Sequence, residues 1–193
     1  MAENDEETWN HPQWGMFVWD EYAWLSDVVA PGFDIFTYDT RNGNALLQGS
    51  VYEVGFESDE GEPPSPEVVA VVEKVVARSS AIADAVVTAL WNDFAGDPPK
   101  SGMWWHGDLE SVSEGIEPPP TAPGDLPALL RLNRIIARDR DYGTGTPVVE
   151  LSFHAAFEEE HGVGILTDGE IILGTGYCYD VSPYGTTYGD GDG

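Results

Sequence analysis

Basic residues are scarce in this chain. Two lysines, Lys74 and Lys100, and six arginines stand against 35 acidic residues, for a formal charge of −27. A field of that sign repels nucleic acid and anionic membrane surfaces, and attracts cations or basic proteins. Cysteine is almost missing too: the single Cys178 excludes an internal disulfide and fits a reducing compartment. No apolar run approaches the ~18 residues of a membrane span. The opening MAENDEETWNHPQW lacks both the positive and the apolar region of a signal peptide. A cytoplasmic location is therefore expected.

Motifs that would carry chemistry are also missing. There is no HExxH or CxxC spacing for zinc and no GxSxG nucleophile turn. Neither GxGxxG after a strand nor GxxxxGK[ST] occurs, so nucleotide binding has no signature. Asp190-Gly191-Asp192 falls far short of a calcium loop. Cys178, in a Tyr-Cys-Tyr run, reads as a small buried hydrophobe rather than a nucleophile. With 35 carboxylates, some pair always looks catalytic, so carboxylate pairing carries no information. No catalytic residue, cofactor or metal ligand is assigned.

What is there is patterned. From Val148 to Gly176 the chain reads VVELSFHAAFEEEHGVGILTDGEIILGTG. Val149, Leu151, Phe153 and Ala155 alternate with Glu150, Ser152 and His154, the period of a half-buried strand. Asp168-Gly169 sits between two β-rich runs and predicts a two-residue hairpin turn. Between these signals, Glu158-Glu159-Glu160-His161-Gly162 reads as a charged elbow. Four consecutive side chains cannot converge on one ion, so a solvated turn is the expected role. Three antiparallel strands joined by that elbow follow.

Upstream, Trp14, Phe17, Trp19, Tyr22 and Trp24 predict β-structure with rings packed inward, in preference to a carbohydrate platform. Pro31-Gly32 marks a turn, 33–38 a strand, Asn42-Gly43 another turn and 50–56 a further strand. Ser65 can cap a helix that has Pro66 at its first position. Val68, Val72, Val75, Val76, Ile82, Val86, Leu90 and Phe94 form one apolar stripe over 66–95, with Ser79-Ser80 a weak point midway. Gly96 and Pro98-Pro99 stop this helix. Residues 97–124 read as loop around Trp104-Trp105-His106. A short helix is expected over 126–132 with Asp125 as cap, then a strand over 135–138. Four of the six arginines fall between 131 and 140 and are expected in ion pairs.

At 193 residues and 41% hydrophobic content, the chain has enough to build a core. The expected architecture is a single α+β domain over 13–181, mainly an antiparallel sheet with one long helix packed on it. An acidic flexible stretch, 1–12, and a flexible Gly/Asp-rich tail, 182–193, flank it.

The signature around the elbow resembles the C-terminal segment of a bacterial family known only as a domain of unknown function. Its members carry a strand, a segment close to WDEEHGLGV, and a hairpin. Glu159, Glu160, His161, Gly162 and Gly164 match, while Phe157, Glu158 and Val163 stand where that pattern has tryptophan, aspartate and leucine. Related families are discussed as immunity-like proteins that neutralise toxins. The resemblance implies a non-enzymatic binding protein, and the charge implies a basic protein partner, with no nucleic acid and no membrane. A small hydrolase of unrecognised type and a salt-adapted protein of unrelated role are the alternatives. Phe157, Glu159, Glu160, His161, Gly162 and Gly164 are the candidate residues. The elbow is expected to be chiefly architectural, with an exposed Glu160–His161 contact pair as the functional alternative.

Overall fold

The computed structural model describes residues 7–39 and 50–186. The aromatic opening zigzags through β1 (Thr8–His11), β2 (Gly15–Trp19) and β3 (Ala23–Val29). Phe17 and Trp24 are buried, as inward packing requires, whereas Tyr22 at the β2–β3 turn stays exposed. Residues 8–11, placed by composition in the flexible lead-in, instead form an edge strand. His11 explains the difference, because its ring is buried and its Nδ1 accepts from the backbone amides of Gln13 and Trp14, both at 3.2 Å.

Residues 33–38 are not a strand. Pro31–Ile35 winds into a 3-10 turn, which puts Phe33 and Phe36 together in the core. Three-residue spacing, not alternation, is the pattern that matters there. The chain then runs extended, with the Thr37 amide bonded to Pro127 O and the Tyr38 amide to Leu130 O. The expected Asn42-Gly43 turn lies outside the described residues. β4 (Val51–Glu57) follows.

The expected single helix over 66–95 is two helices, α1 (Pro66–Ala77) and α2 (Ser79–Ala95). Ser65 caps the first through its side chain and Gly96 closes the second in the left-handed conformation, φ +78°. The break falls at Arg78, beside the Ser79-Ser80 weak point. There Gly32 lies directly on the Ser79–Ser80 backbone, where a Cβ would have no room, and its amide donates to Ser79 Oγ at 3.2 Å. Arg78 reaches out of the junction to Gly169 O at 2.8 Å. Valine is a mediocre helix former. Burial of Val72, Val75, Ile82, Val86, Leu90 and Phe94, each worth about 2 kcal/mol, holds both helices on the sheet.

A short α3 (Leu109–Val112) interrupts the following loop. The expected helix over 126–132 is a 3-10 turn at Pro123–Leu129, and β5 (Leu130–Ala137) begins immediately after it. Asp125 ties the turn by accepting from the amides of Thr121 and Ala122 at 2.8 and 3.0 Å. β6 (Val149–Ala155), β7 (Glu158–Thr167) and β8 (Ile172–Tyr177) complete one eight-stranded sheet in chain order. The sheet is mixed. β4 and β5 are parallel, the other neighbours antiparallel. The parallel pair needs a long crossover, and α1 and α2 supply it, lying over β5, β6 and β8. The domain is α+β.

Two further expectations change. The charged elbow is no elbow. The chain reverses at Ala156-Phe157, Ala155 pairs with Glu158, and Glu158–His161 is the first part of β7. The charged run sits at the end of the sheet, where alternation has no core to follow. The turn at Asp168-Gly169 spans four residues, since Thr167 pairs with Ile172. Asp168 Oδ1 accepts from the amides of Glu170 and Ile171, a side-chain closure that replaces the two-residue turn. Past β8, Val181 covers Gly164 and Gly176, and the Tyr184 amide donates to Leu173 O at 2.7 Å. Residues 182–184, assigned to the tail by composition, thus lie along the β8 edge. Among the described residues, no helix is long and apolar enough to cross a membrane.

Candidate functional site

On the face covered by the helices, α2 ends on a buried charge. Ser79, Ile82, Val86, Leu90 and Phe94 form its inward stripe, and Asp93, three residues after Leu90, falls on the same side. It is 1% exposed. A carboxylate removed from water costs several kcal/mol unless donors surround it, and four do. Ser101 Oγ donates to Oδ1 at 2.8 Å and Trp105 Nε1 to Oδ2 at 2.7 Å. Thr175 Oγ1 of β8 donates to Oδ2 at 3.0 Å, and His106 Nδ1 meets Oδ1 at 2.6 Å. The Gly107 amide adds a bond to Asp93 O. Gly96 and Gly107 both have positive φ and approach so closely that a Cβ on Gly96 would lie 3.1 Å from Gly107 Cα. The loop between them is therefore pinned at its neck and at its centre.

The pinned loop presents two tryptophans differently. Trp105 is fully buried, edge-on to Phe157 and Tyr177. Trp104 remains 40% exposed, with its Nε1 donating to Glu158 Oε2 at 3.0 Å. Glu158 Oε1 in turn takes the His161 amide at 3.2 Å and faces His161 Nδ1 at 3.1 Å. The His161 ring lies over Tyr177 at 4.7 Å between centroids. Burial pushes the Glu158 carboxyl up, but the bonds from Trp104 and His161 outweigh it and hold it below the ordinary range. Burial, then Glu158 and Glu160, push the Tyr177 phenol up.

Each candidate residue from the sequence has a place in this geometry. Phe157 packs edge-on against Phe94 and Trp105. Glu159 accepts from Tyr38 Oη at 2.7 Å. Glu160 and His161 are exposed. Gly162 adopts φ +67° with Phe153 O 2.5 Å from where a Cβ would stand, and a Cβ on Gly164 would meet Tyr177 O at 2.9 Å. Phe157, Glu160 and His161 belong to the cluster, Glu159 lies beside it, and the glycines shape β7 behind it. Sequence reasoning missed Asp93, Ser101, His106 and Thr175. The available signal was an aspartate on the core stripe of a helix, followed by Trp-Trp-His.

The Asp93–His106 couple has the form that orients a general base when Nδ1 carries the proton and Nε2 is left as acceptor. Among the described residues, neither Ser101 nor Cys178 is placed as a nucleophile for it. The Ser101 hydroxyl donates to Asp93 and accepts from the Met103 amide. Cys178 lies elsewhere, against Phe153 O, its thiol pushed up to about 11 by burial and then by Glu150. Among the described residues, no group of three His, Cys, Asp or Glu side chains could hold a metal ion.

On the sheet face away from the helices, Glu150 is buried and paired with Arg138, which also holds Glu57. Ser152 Oγ and the Tyr179 amide complete its shell, and Arg138 lies 4.3 Å above the Tyr179 ring. This cluster fastens the C-terminal segment to the sheet, with Arg138 Nη2 buried and without a hydrogen-bond partner among the described residues. No protein-family model matches the chain, and neither a curated protein sequence nor a solved structure shows significant similarity to it.

Proposed function

We propose that this is a non-enzymatic binding protein that captures a basic protein partner in the bacterial cytoplasm, in the manner of an immunity-like protein neutralising a toxin. One observation carries the reading: five of the eight basic residues are engaged within the molecule, so the large acidic excess is left uncompensated at the surface. Lys74 pairs with Glu170 at 2.7 Å, Arg134 with Glu53, and Arg138 with Glu57 and Glu150. Arg78 is bonded to Gly169 O and Arg140 lies over Tyr142. A field of one sign speeds capture of an oppositely charged partner and repels nucleic acid. The signature from Phe157 to Gly164 supports the immunity-like form of the proposal.

The test is calorimetric titration with basic proteins, acidic proteins of similar size and duplex DNA, across a salt series. Binding to a basic protein that weakens steeply with salt, and none to DNA near physiological salt, is expected. Micromolar DNA binding that survives moderate salt would reverse the reading. Scarcity of lysine favours a second reading, adaptation to a saline solvent. In that case thermal stability rises strongly with salt and no basic protein is bound.

A further inference from the structure

Resting on that binding reading, we infer that Trp104, Glu158, Glu160, His161 and Tyr177 form the docking surface for an arginine side chain of the basic partner. The first argument is the cost of the loop. The fold buries a carboxylate and surrounds it with four donors to hold residues 101–107. What this leaves exposed is one indole. Trp105 is withdrawn completely while its neighbour Trp104 is 40% exposed. Both indole N–H groups are already committed, to Asp93 and to Glu158. The Trp104 surface left to solvent is therefore carbon ring, which attracts cations through its quadrupole.

The second argument is charge placement. Glu160 is exposed, makes no ion pair with a described residue, and lies close enough to Tyr177 to act on its phenol. Lys74 and Arg78 are tied to the hairpin at Gly169–Glu170, and Arg134 and Arg138 to Glu53, Glu57 and Glu150. That hairpin is at the far end of β7, roughly 20 Å away, since the same span of β6 is Val149 to Ala155 at about 3.3 Å per residue. Beyond a Debye length of about 8 Å such cations are screened. An aromatic face beside an unpaired carboxylate suits guanidinium better than ammonium. The planar group stacks on a ring and donates sideways to a carboxylate at once, whereas a lysine offers a strongly hydrated point charge.

The experiment titrates isotopically labelled protein with a short oligoarginine peptide at low salt, following the Trp104 indole N–H by NMR and affinity by calorimetry. An oligolysine peptide of equal length is run beside it. The Trp104 and His161 signals are expected to move first, with oligoarginine bound more tightly than oligolysine. Trp104→Ala is expected to weaken oligoarginine binding about tenfold, and Glu160→Gln several-fold, both folded. Glu67→Gln, which removes one exposed charge at the start of α1, is expected to change it less than twofold. Should Trp104→Ala be poorly folded, Glu160→Gln against Glu67→Gln decides alone. Equal effects of Glu160→Gln and Glu67→Gln, or unmoved Trp104 signals during binding, would overturn the docking site while leaving the binding reading intact. Absence of binding to both peptides and to basic proteins overturns both. Shifts of Trp104 with protein concentration alone would assign the surface to a second copy of the chain, and shifts with neutral oligosaccharide to a sugar. Either result defeats the proposal.

Discussion

Two histidine–carboxylate pairs in this molecule are inverted copies of each other. At His11–Glu73 the histidine side chain is 2% exposed and the carboxylate 38%; at His106–Asp93 the histidine is 15% exposed and the carboxylate 1%. His11 uses both ring nitrogens, Nδ1 on two amides of the β1–β2 turn and Nε2 on Glu73 at 3.2 Å. Its ring also stacks on Trp14 at 4.2 Å. It is a satisfied core residue. His106 commits one nitrogen, and the buried partner is the acid. The first pair finishes a turn, while the second belongs to a network whose visible product is an exposed tryptophan. Which member of such a pair is buried tells what the pair is for.

The comparison breaks most readily at the acids. Asp93→Ala strands the donors of Trp105, Ser101 and Thr175, and is expected to cost more than about 3 kcal/mol. Glu73→Ala removes a partly exposed partner and is expected to cost less than about 1 kcal/mol. Chemical denaturation of both variants checks this, and equal losses would erase the distinction. Leu90→Asp, one turn before Asp93, should unfold the domain because it adds a buried charge with no donors. Val76→Asp, at a half-buried position, should be milder.

Gly162→Val probes the strand that carries the charged residues. Positive φ and the approach of Phe153 O make about 2–3 kcal/mol the expected cost, read as a fall in thermal midpoint. His11→Ala should cost about 1–2 kcal/mol through two unsatisfied amides and a lost ring stack. His161→Ala, at a half-exposed site, should change stability by less than about 0.5 kcal/mol. A His161→Ala loss as large as that of His11→Ala would make the exposed histidine a structural one.

The smallest effect concerns pH. Because the Glu158 carboxyl is held below its ordinary 4.5, its bond to Trp104 contributes fully above about pH 4.5 and is lost as pH falls through the lower folded value. The difference in tryptophan fluorescence between the native protein and Trp104→Phe should therefore change only on the acid side of 4.5. Glu158→Gln should abolish that change.

How much of this the sequence foretold depends on where each residue's partners lie. Ser65, Pro66 and Gly96 act within one turn of themselves, and their caps appear where expected. Val149 to Ala155 is a strand as its alternation predicts. Glu150 and Ser152, expected on a solvated face, are buried instead, because Arg138 and the C-terminal segment cover that side. Failures cluster where a distant partner decides. The Arg78 break depends on Gly32, 46 positions away in the chain, although Ser79-Ser80 marked the weak point. Strand β1 depends on His11 being capped by its own turn, and Phe33 to Phe36 on a core that rewards three-residue spacing. Glu158–His161 looked like a turn because its polarity outweighed its place in a hairpin. The segment from Phe157 to Gly164 stood out by its own charged residues and glycines. Its counterpart, Asp93 with Trp104-Trp105-His106, was visible only as an unexplained loop motif, since the contacts that unite the two halves cross 54 residues, from Trp104 to Glu158.

The central claim is that one buried carboxylate holds the loop that presents Trp104. Hydrogen exchange in Asp93→Asn tests it most directly, since asparagine keeps the volume but turns an amide donor toward donors. The account predicts exchange at least about 100-fold faster, equivalent to about 2.7 kcal/mol, at the Trp105 indole and the Met103 and Gly107 amides. The amides of β5 and β6 should keep their protection. Unchanged protection of the 101–107 loop in a folded Asp93→Asn protein would contradict it.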